Sequence, residues 1–233
     1  MSAHTGIEWT DKTWNPWQGC TKVSPGCAHC YMYREKRRYG QKPETVVRSA
    51  PATFGAPLKW RDPARVFTCS WSDFFHRDAD SWRAEAWDII RATPHLTYQI
   101  LTKRIGRVVD RLPPDWGDGW PQVWLGVSVE NQRHVFRASA LAVTPARHRF
   151  VSVEPMLGPV VFGSLAGIHW VICGGESGPG ARPMAPDWAR ALRDECAAAD
   201  VPFFLKQLGG HPNARAHERA VLDGLRHTGR PAA

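Results

Sequence analysis

The sequence predicts an α/β fold built on a parallel sheet, and three observations carry the prediction. Short apolar runs alternate with longer amphipathic ones along most of the chain, the rhythm of repeated β–α units. Each expected strand ends in an ionisable residue. Three cysteines follow the first expected strand, so they share the end of the sheet to which those ionisable residues belong.

Taken in order, a first strand is expected through Trp14 to Gly19, running into the cysteine segment. Residues 43–65 hold Pro43, Pro51, Pro57 and Pro63 and read as a covering loop or a short irregular helical segment. Further strands are expected at 66–73, 97–103, 122–130, 149–155, 169–177 and 201–207. Helices are expected at 80–92, opened by Asp80 or Ser81 and stopped by Pro94, at 104–111, at 131–142 from Asn131, and at 187–199 from Asp187. The GPGARP stretch (178–183) reads as loop. Residues 1–209 form a single domain on this reading, and 210–233 a basic, mobile tail.

The strand ends are Asp73, Lys103, Glu130, Glu154, Glu176 and Lys206. In a parallel barrel all such ends converge on one mouth, so these six would line a polar cavity above an apolar interior. The plain alternative is that charges mark where strands exit into solvent.

With 233 residues, 43% of them apolar, the chain can bury one sizeable core. No stretch approaches the run of about 18 apolar residues that a membrane span needs, so no membrane association is expected. MSAHTGIEWTDK has neither a basic start nor an apolar core, so a cytoplasmic, reducing location is expected. The net charge of +8 and pI near 9.5 favour polyanionic substrates or partners, with nucleic acid or a nucleotide the expected class and an unidentified protein partner also open. Basic residues concentrate in YREKRRYGQK, around Arg147 to Arg149, and from Arg215 to Arg230. A solvated helix face with a loose terminus is the alternative reading. Trp60, Trp71 and Trp116 are of the type that stacks on bases, although most of the twelve tryptophans are expected in packing.

Cys20, Cys27 and Cys30 lie in TWNPWQGCTKVSPGCAHCY with no fourth cysteine nearby. A structural zinc site fills four positions with Cys or His, whereas an iron–sulfur cluster held by three cysteines leaves one iron open to a substrate or cofactor. His29 adjoins Cys30 and is badly placed to share its metal. His76, or a cysteine from elsewhere, would still close a zinc site, so zinc stays the alternative. In a reducing compartment such a cluster is metal-binding or catalytic rather than a disulfide staple. Cys173 and Cys196 read as core, while Cys69 is ambiguous: its alternation with Asp73 points it to the barrel interior, too deep for the cysteine cluster.

The cysteine triad after the first strand, followed by about five more β–α units, resembles the radical S-adenosylmethionine superfamily. That superfamily spaces its triad C-x3-C-x2-C, whereas six residues separate Cys20 from Cys27 here. More closely, IEWTDKTWNPWQGCTKVSPGCAHCY, VSVEPML, GGESGPGARPM and VPFFLKQLGG resemble a phage-associated three-cysteine-motif family with no assigned reaction. The resemblance implies a partial (β/α)6 TIM-like barrel. It implies that Cys20, Cys27 and Cys30 ligate a [4Fe–4S] cluster whose fourth iron binds S-adenosylmethionine for radical chemistry on a polyanionic substrate. By position it implies that Ser70 and Asp73 meet the methionine amino group, that Glu130 accepts the ribose hydroxyls, and that Gly174 and Gly175 admit close backbone approach. Lys103, Glu154, Glu176 and Lys206 then remain for substrate or catalysis. The zinc alternative is a zinc-stabilised nucleic-acid-binding protein without radical chemistry. GGESGPG is neither a P-loop nor a dinucleotide fingerprint, and no G-x-S-x-G elbow occurs.

Overall fold

The structure is a computed structural model that describes residues 5–209 and 220–231. In chain order its elements are β1 (Lys12–Trp14), β2 (Trp17–Gln18), α1 (Tyr31–Arg38), β3 (Val47–Arg48), α2 (Pro51–Phe54), β4 (Ala64–Thr68), α3 (Asp80–Ala92) and β5 (Leu96–Thr102). Then come β6 (Val123–Ser128), α4 (Phe136–Ala142), β7 (His148–Val153), β8 (Trp170–Gly174), α5 (Pro186–Ala198), β9 (Phe203–Gln207), β10 (Val221–Leu222) and β11 (Leu225–Arg226). Seven strands form one sheet in the order β1-β4-β5-β6-β7-β8-β9. The pairs β1/β4, β4/β5, β7/β8 and β8/β9 are all parallel, so the expected α/β class with a parallel sheet holds. β6 and β8 are buried at every position, which explains why they read as unbroken apolar runs rather than alternating ones. No helix among the described residues is long and apolar enough to cross a membrane.

By contact the chain divides into two compact units. The first comprises residues up to Val23, Cys30–Leu125 and Pro145–His148; the second comprises Ser24–His29, Gly126–Thr144 and residues from Arg149 onward.

In the first unit, α3 spans its expected range. Asp80 sits in its first turn, where a carboxylate suits the helix dipole, and Ala86, Trp87, Ile89 and Ile90 form its buried stripe. Trp14, Trp17, Phe54, Phe74 and Tyr98 are fully buried and make the core. Trp116 is also core: it packs on Trp87 at 5.5 Å and donates its indole N–H to Pro145 O at 2.7 Å, so it is no platform for a base. Three expectations need correction here. The first strand lies at 12–14 and stops before Pro16, which has no N–H to extend the ladder; β2 then pairs with β3 instead. β4 ends at Thr68 because Cys69 takes a left-handed φ of 63°, so Asp73 lies on the following turn and not at the strand end. The expected helix 104–111 is two 3-10 turns, Ile105–Arg107 and Val109–Arg111, in a segment where Gly106 and three β-branched residues disfavour an α-helix.

In the second unit, Phe150, Trp170 and Phe204 are fully buried, with ring centroids 5.9 and 6.2 Å apart along the series. Gly126 lies under the Phe150 ring, where a Cβ would come within 2.4 Å. α5 begins on Pro186, whose missing N–H costs nothing at a first turn, and buries Ala189, Leu192 and Cys196. Residues 220–231, expected to belong to a mobile tail, are tied to β9. Leu205 N donates to His227 O at 2.8 Å, Gly229 N to Phe203 O at 2.9 Å, and Ala220 and Leu222 are buried. Residues 210–219, Arg215 among them, lie outside the described residues.

Candidate functional site

In the first unit the approach to Cys20 is set by Gly19. Its φ is 98°, and a Cβ there would meet Thr45 O at 2.1 Å, so the turn admits only glycine. Gly19 N donates to Trp71 O at 3.0 Å, and Ser72 Oγ donates to Gly19 O at 2.6 Å. The Tyr33 hydroxyl bonds Cys20 O. Arg104 directs Nη1 at Cys20 Sγ (3.6 Å) and at Asp73 Oδ2 (3.0 Å), while its Nη2 donates to Thr21 O and Oγ1, both at 2.9 Å. Burial works against the charge on Arg104, but the neighbouring Asp73 and Cys20 outweigh it and raise its pKa further. Cys30 caps α1, its carbonyl accepting from Tyr33 N at 3.1 Å.

Asp73, expected as an acceptor for an ammonium group, is buried and already accepts four hydrogen bonds. They come from Phe75 N (2.9 Å), Thr102 Oγ1 (2.7 Å), Lys103 N (3.0 Å) and Arg104 Nη1 (3.0 Å). Lys103 thus meets Asp73 through its backbone. Ser70 exchanges hydrogen bonds with the Asn15 side chain at 3.0 and 3.2 Å, and its carbonyl accepts from the Tyr31 hydroxyl. His76 is 2% exposed; its Nε2 pairs with Thr21 Oγ1 at 2.9 Å and its Nδ1 accepts from Asp78 N at 3.2 Å. Burial and then Arg104 depress its pKa. Both ring nitrogens are engaged, so His76 is not disposed to complete a zinc site.

The second unit holds residues 24–29 with two carboxylates. Glu130 is fully buried; its Oε1 accepts from Ser24 Oγ at 2.5 Å and its Oε2 from the buried Arg137 at 2.9 Å, with His134 Nδ1 at 3.5 Å. Gly26 lies so close that a Cβ would come within 2.4 Å of Glu130 Cγ. Glu176, 6% exposed, accepts from His29 Nδ1 (2.9 Å), from Arg182 N (2.9 Å) and from Arg182 Nη2 (2.6 Å), and Arg182 in turn donates to Pro25 O at 3.1 Å. Cys27 Sγ is 3.8 Å from Ser24 Oγ. Glu154 pairs with Lys206. A Cβ on Gly174 would touch Glu154 Cδ at 3.3 Å, and one on Gly175 would meet Leu208 O and Gly209 N at 2.8 Å. The Gly175 hydrogen atom therefore serves the approach of residues 208–209.

Each expected carboxylate thus has a cation in its own unit: Arg104 for Asp73, Arg137 for Glu130, Lys206 for Glu154 and Arg182 for Glu176. Of these cations only Lys206 stands out in the sequence; Arg182 lies within the GGESGPGARPM motif, and Arg137 lies seven residues after Glu130.

The Glu176 arrangement predicts acid behaviour. Burial alone would raise its pKa, but the Arg182 side chain and N–H and the His29 ring hold it down at about 2, below the ordinary 4.5. A carboxyl depressed in the folded state contributes stability above its ordinary pKa and loses it as pH falls toward the folded value. Urea unfolding between about pH 5 and pH 2 should show a slope that Glu176→Gln reduces by close to one proton; an unchanged slope would contradict the pairing.

None of the six cysteines is in a disulfide; Cys20, Cys27 and Cys30 are partly accessible, and Cys69, Cys173 and Cys196 are buried. Three partly accessible thiols, one with a guanidinium N–H directed at its sulfur and one with a hydroxyl beside it, suit an iron–sulfur cluster in donor chemistry. Among the described residues no group of three or more His, Cys, Asp or Glu side chains is gathered as for a single metal ion. A family model described as "Protein of unknown function (DUF5131)" matches residues 4–231. No curated protein and no solved structure matches the chain.

Proposed function

For a chain that belongs to this family of proteins of unknown function, DUF5131, we propose an iron–sulfur enzyme of the S-adenosylmethionine radical type that acts on a polyanionic substrate. The observation that carries the reading is the set of three partly accessible cysteines without disulfides within residues 20–30, with the Arg104 guanidinium directed at Cys20. Cys20, Cys27 and Cys30 would hold a [4Fe–4S] cluster. When bound with S-adenosylmethionine, that cluster supplies one-electron chemistry, and the protein supplies position and electrostatics.

Arg104 stabilises negative charge on the Cys20 sulfur, and a hydrogen bond to a cluster sulfur shifts reduction potential upward. Gly19 and Tyr33 fix the Cys20 backbone, and Ser24 does the same service beside Cys27. Ser70 lies on the turn expected to receive the methionine amino group. Asp73 and Glu130 reach such a cofactor only by exchanging an arginine for it, so their part is to shape the surrounding turns. Gly174 and Gly175 are closed over by Glu154 and by residues 208–209, so their part is to let those groups approach, and Glu154 with Lys206 is an ion pair suited to a substrate. The parallel sheet supports a partial (β/α)6 barrel as the scaffold.

The test is anaerobic purification followed by iron and sulfide analysis and electron paramagnetic resonance of the reduced protein, with and without S-adenosylmethionine. The expected result is about four irons per chain and a spectrum that changes with the cofactor. A colourless protein carrying one zinc, or a spectrum indifferent to S-adenosylmethionine, overturns the proposal.

A further inference from the structure

We infer that residues 31–42, together with Lys22, form a docking surface for single-stranded nucleic acid. This names the polyanion of the reading above; the strand's status as substrate rests on that reading, whereas its binding does not.

The segment 31–42 carries five basic residues and one acidic one, a net +4 that is half of the chain's +8. It also holds three of the four tyrosines: Tyr31, Tyr33 and Tyr39, with Tyr98 the other. The helix separates these groups into layers. Met32, Tyr33 and Lys36 are buried, while Arg34, Arg37, Arg38, Tyr39 and Lys42 are exposed. Tyr33 turns its ring to two cations, with Lys22 Nζ at 5.0 Å and the Arg37 guanidinium at 5.8 Å from the centroid. Cation–π contact with a buried ring limits where those charges can go. Tyr31 and Tyr39 offer accessible rings, 44% and 68% exposed. The Tyr31 hydroxyl is tied to Ser70 O, so its ring is held in place before any ligand arrives. The Arg38 guanidinium lies 6.0 Å from the Tyr39 ring.

A basic track with exposed aromatic rings is what a single strand recognises, through phosphates on the charges and bases on the rings. A duplex hides its base faces, so it would use the charges alone. No Leu, Ile or Phe is exposed on α1, so the surface lacks the apolar wedge an anionic membrane would take. Glu44, which is exposed, and Glu35, which is half-buried, pair with exposed arginines at 3.2 to 3.9 Å, contacts at the solvent boundary that a phosphate can displace.

The test is fluorescence anisotropy on the full chain with labelled 20-nucleotide single-stranded RNA and DNA, the matching duplexes, heparin as competitor, and vesicles of phosphatidylserine with phosphatidylcholine. Single strands should bind most tightly and weaken with salt. Arg37→Gln with Arg38→Gln should lower the log–log salt slope by about 1.4, two phosphate contacts at about 0.7 each. Tyr39→Ala should weaken binding about tenfold, and Tyr31→Ala likewise, at unchanged salt slope. Tyr31→Phe, which keeps the ring, should weaken it less. Circular dichroism and melting confirm that each variant folds. Equal affinity for duplex, heparin or vesicles with indifferent tyrosine variants overturns the proposal, as does absence of binding at about 50 mM salt. Iron is measured on the same preparations. Iron-loaded protein that binds no strand sinks the docking surface alone, and iron-free protein that binds one sinks the cluster reading alone.

Discussion

Replacing Cys20, Cys27 or Cys30 singly by serine is expected to abolish iron and sulfide retention and visible absorption, while Cys69→Ala, Cys173→Ala and Cys196→Ala keep both. The contrast follows from environment. A metal ligand must be a thiolate. Burial pushes Cys173 far above the ordinary thiol range, with Glu154 adding to it, and carries Cys196 to about 12. Burial and then Asp73 push Cys69 well up too. At neutral pH these three are protonated and inert, and Cys173 is packed on Met156 Sδ at 3.8 Å. Cys20 has a guanidinium at its sulfur and Cys27 a hydroxyl. Arg104→Met, which leaves every thiol in place, should weaken iron retention about 10–100-fold, the usual effect of losing a group that hydrogen-bonds a ligand. Full iron in Cys27→Ser, or its loss in Cys173→Ala, would exclude the triad as the ligand set.

What was legible in the sequence follows its period. β5 and β9 lie within one or two residues of expectation, and α3 coincides with it, because apolar runs and helix stripes of this length leave few alternatives. The ends of elements were less legible where one backbone angle decides them. Cys69 at φ 63° ends β4 early, and nothing in VFTCSWSD announces a left-handed cysteine. The ionisable residues after the strands were found, but not their state. An acid read alone is a candidate for ammonium or ribose, whereas the structure gives Asp73 four donors and Glu130 a buried arginine. Phe75 and Arg137 lie two and seven residues on and are within reach of a spacing rule, whereas Thr102 at the end of β5 and Lys103 and Arg104 after it meet Asp73 through tertiary placement. The tail is the same kind of case: basic composition suggested mobility, while backbone pairing from His227 and Gly229 to β9 is invisible to composition.

Arg137→Met should be the most destabilising change outside the aromatic core, by about 3–5 kcal/mol in urea unfolding, because it leaves the Glu130 carboxylate buried without its cation. Glu130→Leu in the same chain should recover most of that loss, since a buried ion pair exchanged for apolar side chains of similar size is often neutral. The two roles of Glu130 then separate. Its charge is answered by Arg137, but its other oxygen holds Ser24, and Gly26 is shaped around it. Hydrogen–deuterium exchange of residues 24–29 should therefore be faster in the stable double variant than in the parent chain, and iron retention through Cys27 should fall with it. Exchange as slow as in the parent chain would mean that Glu176 with Arg182 and His29 holds the segment unaided. A double variant with the parent's stability, a loosened segment and weakened iron binding would identify Glu130 as the residue that positions Cys27 rather than one that merely supports the fold.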